Sequence, residues 1–179
     1  MAAGVRLVAG LGFAALIVAG CAANGQPVGS VTAATARPAM TVSPAVNQTR
    51  AELVRVLSAA NLVLADTQVP VRPAESVLLA AAPRAVFQVT LPADPTRGFI
   101  VVYEFRDASR ASEAAAEEQL YLASGPGRVQ TPEGTVHVLR QVGPTVVLYD
   151  WLPGAAKDPS APEVQRALET LGVGYPIAR

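Results

Sequence analysis

The chain has 179 residues but only one cysteine, Cys21, and one histidine, His137. A single cysteine allows no internal disulfide, so a folded domain must be stabilised by its apolar core. Zinc and iron sites draw on several histidine or cysteine ligands, and a calcium loop needs closely spaced acidic and amide side chains. The sequence has neither pattern, and we therefore expect no metal ion and no cofactor.

Clustered positive charge is also missing. Lysine and arginine number 14 and aspartate and glutamate number 14, which gives a formal net charge of zero. Nucleic-acid binding needs lysine and arginine grouped on one surface, where they neutralise phosphates. No such group occurs along the chain, so we expect no nucleic-acid partner.

The longest apolar run is too short to span a bilayer comfortably. Fourteen apolar or small residues, 7–20, follow one cation, Arg6, whereas a transmembrane helix needs about 20 residues. A short cationic start followed by an apolar run of this length is typical of a secretory signal peptide. The pattern predicts that residues 1–20 are a signal peptide that is removed on export.

The apolar run ends in Val18-Ala19-Gly20-Cys21, which resembles the lipobox of bacterial lipoprotein signal peptides. The resemblance implies lipid attachment at the Cys21 thiol, cleavage before Cys21 and a mature chain held to a membrane by lipid. It also implies export to the cell envelope, either to an outer membrane or to the outer leaflet of the cytoplasmic membrane. The alternative is a free cysteine in an uncleaved anchor or in an ordinary secreted chain.

Residues 21–48 are predicted to comprise the lipidated cysteine and a flexible linker. The stretch after Cys21 contains one charged residue, Arg37, and is rich in alanine, threonine, serine, glycine and proline, a composition typical of tethers. A globular domain is predicted over 49–179. It begins with Thr49-Arg50-Ala51-Glu52, a sequence typical of a helix capping box.

Three helices and about five strands are predicted within this domain. Helical spacing and caps predict helices over 49–60, over 108–123 after Asp107, and over 161–171 after a second capping box, Ser160 to Glu163. Apolar alternation and continuous apolar runs predict strands at 62–64, 85–91, 99–105, 135–142 and 145–152. Short links between the strands favour an α+β single domain, an antiparallel sheet with the helices packed on one face. The layout is similar to that of small bacterial lipoprotein domains, a similarity that implies no activity.

The last two strands bring His137 close to an acidic residue. If Gly143-Pro144 forms a two-residue hairpin loop, His137 lies opposite Asp150. A histidine beside an orienting carboxylate is one part of a nucleophilic hydrolase site, but no Gly-x-Ser-x-Gly nucleophile elbow is present. We interpret the pair as a cross-strand contact, with a hydrolase using His137 and Asp150 as the less favoured alternative.

Two patterns around the second predicted helix are interpreted as structural. Glu117 and Glu118 point about 100° apart on a helix, and we interpret them as a solvated helix face. Gly125 is expected to end the helix. The spacing Gly125-x-Gly127 lacks the preceding strand and following helix of a phosphate-binding loop, so we assign it no phosphate-binding role.

One face of the predicted sheet needs a cover. The pattern assigns to this second face a large set of apolar residues: Val86, Ile100, Val102, Leu139, Val146 and Leu148. An apolar surface of this size is rarely left in water. We expect residues 66–84 to fold over it, and the alternatives are another protein or an apolar ligand.

These observations predict a lipid-anchored cell-envelope protein without catalytic activity. We expect its domain to bind a partner protein of the envelope or to support an envelope assembly. An alternative is an accessory lipoprotein that binds a small apolar ligand between the second sheet face and residues 66–84.

Overall fold

Five α-helices and six strands lie within residues 43–178, which are the residues described by the computed structural model. The helices are α1 Pro44–Ala59, α2 Val77–Ala81, α3 Ala108–Ala123, α4 Gly125–Gln130 and α5 Ala161–Leu168. The strands are β1 Leu64–Asp66, β2 Arg84–Val89, β3 Phe99–Glu104, β4 Val136–Val142, β5 Thr145–Trp151 and β6 Val173–Gly174. The predicted signal peptide, Cys21 and the predicted linker up to residue 42 lie outside the described residues.

The six strands of the described chain form one antiparallel sheet in the order β1-β2-β3-β5-β4-β6. β3 and β5 lie in the middle, which explains why β3 is apolar on both faces. The predicted α+β class and antiparallel sheet are therefore confirmed. The sixth strand was not predicted, because two residues are too few to show alternation.

The helices cover both faces of the sheet, so the prediction of helices on one face is wrong. α1 and α5 pack on a first face that includes Phe87, Ile100 and Tyr149. α2 and α3 pack on a second face that includes Val101 and Leu148. Central strands that are apolar on both sides must be covered on both sides, and this requires two helical layers.

α1 begins earlier than the sequence pattern predicts. The Ser43 hydroxyl accepts a hydrogen bond from the Val46 amide at 3.2 Å, and Pro44 occupies the first helical turn, where proline is well tolerated. Thr49 therefore does not cap the helix. It is buried inside α1, with its hydroxyl 2.7 Å from the Thr145 hydroxyl. Residues 44–48, predicted to be linker, are helical.

The capping box predicted at α5 is also absent. The Ser160 side chain makes no cap hydrogen bond, whereas the Asp158 carboxylate accepts from the Ser160 amide at 2.9 Å. The apolar stripe of α5 is as predicted, since Val164 and Leu168 are buried. The helix thus follows its periodicity, while its start is fixed by an acidic residue two positions before Ser160.

The hairpin of β4 and β5 has the predicted register. His137 lies opposite Asp150, and Val138 lies opposite Tyr149. Gly143 in the loop has φ +54°, a left-handed conformation that glycine adopts without strain. The predicted two-residue loop is confirmed, and with it every cross-strand pair of this hairpin.

The composition of the second sheet face differs from the prediction at β3. The register pairs Val86 with Val101 and Phe87 with Ile100, so Ile100 and Val102 lie on the first face, under α1. Shifting a strand by one residue exchanges its faces. No short turn connects β3 to the β4–β5 hairpin, so no local signal fixed their relative register.

Residues 67–82, which we name the strap, connect β1 to β2 and cross the second face. Ala74 and Leu79 of the strap are buried against that face, together with apolar residues of α3. The expectation that residues 66–84 cover this face is confirmed in part, because α3 covers it as well.

Candidate functional site

Polar side chains interrupt the apolar second face where the strap and α3 meet the sheet. We name as the polar cluster Glu75 and Ser76 of the strap, Arg84 of β2, Tyr103 of β3 and Glu118 of α3. Polar groups at such a place must be hydrogen-bonded, or they destabilise the fold. Their contacts therefore indicate what this part of the molecule can do.

Glu75 connects the strap to two strands. Its Oε1 accepts from the Tyr103 hydroxyl at 2.6 Å and forms an ion pair with Arg84. Burial, together with the hydrogen bond to Glu75, raises the pKa of Tyr103, so its hydroxyl remains a donor. Charge-assisted contacts of this kind are the stronger hydrogen bonds of proteins, and they hold the strap to β2 and β3.

Glu118 is the most unusual member of the polar cluster. Its exposure is 0%, and its Oε2 accepts from the Ser76 amide at 2.7 Å. Within residues 43–178, its Oε1 and the Ser76 hydroxyl are both buried without a hydrogen-bond partner. Burial raises the pKa of Glu118 to about 7, against the opposing effects of the Ser76 amide and the Ser76 hydroxyl. The side chain is therefore mainly a neutral carboxylic acid below this pH.

The interpretation of Glu117 and Glu118 as a solvated face is wrong. Glu117 accepts from the Leu78 amide at 3.1 Å, and Glu118 accepts from the Ser76 amide. Ser76 is the N-cap of α2, and its side chain makes no cap hydrogen bond. The two glutamates thus satisfy amides that a helix start leaves without partners.

The sequence contains one signal that Glu118 is buried. Glu118 lies one helical turn after Ala114 and one turn before Leu122, both of which are buried in α3, so the helical period places it on the buried face. Charged residues are almost never fully buried without a partner, and this is why the pair was assigned to the surface. Its partner Ser76 is 42 positions away in the chain, so no local pattern reveals the contact.

The structure brings His137 and Asp150 together as the sequence predicted. His137 Nδ1 lies 2.7 Å from Asp150 Oδ1, and their side chains are 9% and 21% exposed. His137 also lines an open groove with Thr131 and Thr135. The hydroxyls of both threonines donate to backbone carbonyl oxygens. The pair therefore has the geometry of a cross-strand contact, and the two nearby threonine hydroxyls are hydrogen-bonded to the backbone instead of to His137.

The described part of the chain has neither a metal-binding cluster nor a membrane-spanning helix. Between residues 43 and 178, no three histidine, cysteine, aspartate or glutamate side chains are grouped so that they could hold a metal ion. None of the helices in this range is long and apolar enough to cross a membrane. Cys21, the predicted lipid attachment site, lies outside the described residues.

Replacing Tyr103 by phenylalanine is expected to lower the free energy of unfolding by about 1.5 kcal/mol, because Glu75 loses a buried hydroxyl donor. Chemical denaturation measures this change. Tyr149→Phe is the matched control, since Tyr149 is also buried but its hydroxyl makes no hydrogen bond among the described residues. Equal losses for the two variants would contradict a structural role for the Tyr103–Glu75 contact.

Comparisons of the chain with protein-family models, with curated proteins and with solved structures found no match.

Proposed function

We propose that this chain is a lipid-anchored protein of the cell envelope whose domain binds a partner protein or supports an envelope assembly without catalysis. The observation that carries the proposal is Val18-Ala19-Gly20-Cys21 at the end of a 14-residue apolar run. An apolar run of this length near the start of a chain is typical of export. The single cysteine stands at the position that the lipobox requires.

The contacts of the domain support a binding role rather than a catalytic one. In the polar cluster, Glu75 is held by Tyr103 and Arg84. His137 and Asp150 bind each other. Nucleophilic catalysis needs a hydroxyl or thiol that contacts a base and can also reach a substrate. The Tyr103 hydroxyl donates to Glu75, but Tyr103 is 0% exposed, and the threonine hydroxyls that line the groove with His137 donate to backbone carbonyl oxygens.

The packing of the second sheet face favours a partner on the outside of the domain over an apolar ligand within it. Leu79, Leu139 and Leu148 are buried there by the protein's own side chains. Beside the strap, residues 70–73 and 96–99 line an open groove of about 430 Å³. This size is typical of small-molecule sites, roughly 300–1,000 Å³, so the groove is the observation that favours the alternative function, an accessory lipoprotein that binds a small ligand.

Cys21→Ser is expected to abolish lipid attachment and to move the protein out of the membrane fraction. Without a thiol no diacylglyceryl group can be attached, and a polar domain then has no anchor. The measurement is the intact mass of the protein from the membrane and soluble fractions of a bacterial host. In the wild type, we expect a lipidated chain that begins at residue 21.

Ala23→Ser, which leaves Val18 to Cys21 intact, is the control for this experiment. It should remain lipidated and membrane-bound. A wild-type chain without lipid, or one that retains residues 1–20, would contradict the proposal.

A further inference from the structure

We propose that the strap is a proton-dependent latch: it is held against the sheet while Glu118 carries a proton and loosens when Glu118 ionises. The latch is a conformational device of the domain and goes beyond the proposed function. It would control access to the apolar second face beneath the strap, which includes Val101 and Leu148.

Apart from its polar contacts, the strap has little regular secondary structure and few buried side chains to hold it against the sheet. Residues 67–76 form no helix or strand, and α2 has only five residues. Ala74 and Leu79 are the buried apolar side chains of the strap, and Val71, Leu78 and Ala82 are only partly buried against the same cluster. Segments with few buried apolar contacts open locally at a lower free energy than the core. The polar contacts that Glu75 makes with β2 and β3, and that Glu117 and Glu118 of α3 make with the strap amides, therefore add to what holds the strap in place.

The contact between Glu118 and the strap is the one that depends on protonation. Glu118 Oε2 accepts from the Ser76 amide, whereas its Oε1 is buried and makes no hydrogen bond with any residue of 43–178. The nearby Ser76 hydroxyl lowers the pKa of Glu118, but burial outweighs this effect. A neutral carboxyl tolerates this position better than a carboxylate, because a buried charge needs partners that compensate for lost hydration. Opening of the strap would admit water to Glu118 and remove this penalty.

The charged groups around Glu118 do not neutralise it. Arg84 is paired with Glu75, and His137 is paired with Asp150. The carboxylates of Glu75 and Asp150 both raise the pKa of Glu118. Two further titratable neighbours are Glu117, which accepts from the Leu78 amide, and Tyr103, which donates to Glu75.

The direction of the pH effect follows from the two states. In the open strap, Glu118 is hydrated and its pKa returns towards its ordinary value of 4.5, whereas in the closed strap its pKa is about 7. Below the lower value both states are protonated, so opening does not depend on pH. Between the two values the open state releases a proton that the closed state retains, so opening increases by up to about tenfold per pH unit. Above the higher value both states are ionised, and the effect reaches a plateau.

Hydrogen exchange of the purified full-length protein tests the latch. Protection factors, which remove the intrinsic pH dependence of exchange, are compared at about pH 5 and about pH 8 for the amides of Ser76, Leu78 and Ala80. We expect protection to fall by about 100-fold between these conditions. The amide of Val147 in β5 should show no such fall.

Glu118→Gln replaces the titrating group with a neutral one of the same shape, and Glu117→Gln is the matched control on the same helix. We expect the pH dependence of strap protection to disappear in the first variant and to persist in the second. Unchanged strap protection in the wild type, or equal pH dependence in the wild type and Glu118→Gln, would overturn the proposal.

A direct titration of Glu118 in the wild-type protein tests the latch without requiring that a variant folds. The carboxyl carbon of Glu118 in the wild-type protein is followed by nuclear magnetic resonance as the pH is raised. A midpoint near the closed-state value of about 7 supports the latch. A midpoint near the ordinary value of 4.5 overturns it.

Discussion

Replacing Leu148 by alanine is expected to lower the free energy of unfolding by about 3 kcal/mol. Leu148 is 1% exposed and lies in β5, opposite Val101 on one side and Leu139 on the other. The substitution would leave a cavity beneath α3 and the strap, and close-packed interiors collapse only partly into such cavities. Urea denaturation followed by circular dichroism measures the loss.

Leu120→Ala is the control for this substitution, because Leu120 lies on α3 but is 70% exposed. Its effect should stay within about 0.5 kcal/mol. A cost below about 1 kcal/mol for Leu148→Ala would show that the second face is loosely packed. An apolar ligand on that face would then again be a candidate for the function of the domain.

Local signals in the sequence predicted the elements whose geometry is fixed by neighbours in the chain. The hairpin register followed from the two-residue loop Gly143-Pro144, because loop length determines which residues face each other. Asp107 caps α3 as predicted, with its carboxylate accepting from the Arg110 amide at 2.9 Å. In both cases the interacting groups lie close together along the chain.

Three of the failed predictions depended on contacts between distant parts of the chain. Thr49 had the local chemistry of a helix cap but instead contacts Thr145, 96 positions away, and the helix is capped by Ser43. The face assignment of Ile100 required the register of β3 against the β4–β5 hairpin, which no turn specifies. The placement of helices on both faces of the sheet also depended on this register, which the sequence does not specify.

In the candidate site, too, contacts between neighbours in the chain could be predicted and contacts between distant residues could not. The contact of His137 with Asp150 could be predicted, because both residues belong to one hairpin. The polar cluster could not, because Glu118 finds its partner in the strap and Tyr103 finds its partner in Glu75. Helical periodicity placed Glu118 on the buried face, but a charged residue is normally assigned to the surface. A buried acid inside an apolar stripe is therefore worth examining for a distant partner.

Replacing Gly127 by alanine is expected to lower the free energy of unfolding by about 3 kcal/mol, because overpacking strains the backbone. A Cβ atom at this position would lie 2.2 Å from the Tyr121 carbonyl oxygen and 2.8 Å from the Leu122 Cα. Both are backbone atoms in the last turn of α3, and they cannot rotate away as a side chain could. The substitution would push α4 away from α3, and thermal and urea denaturation measure the effect.

Gly125→Ala is a closely matched control, since it lies two positions earlier in the same helix. A Cβ atom there would meet nothing within 4 Å, so the variant should be neutral or more stable by up to about 0.5 kcal/mol through the loss of unfolded-state entropy. Equal losses for the two variants would contradict the close approach of α4 to α3. A difference of the expected size would explain one glycine of the Gly125-x-Gly127 spacing by helix packing, with no role for a phosphate.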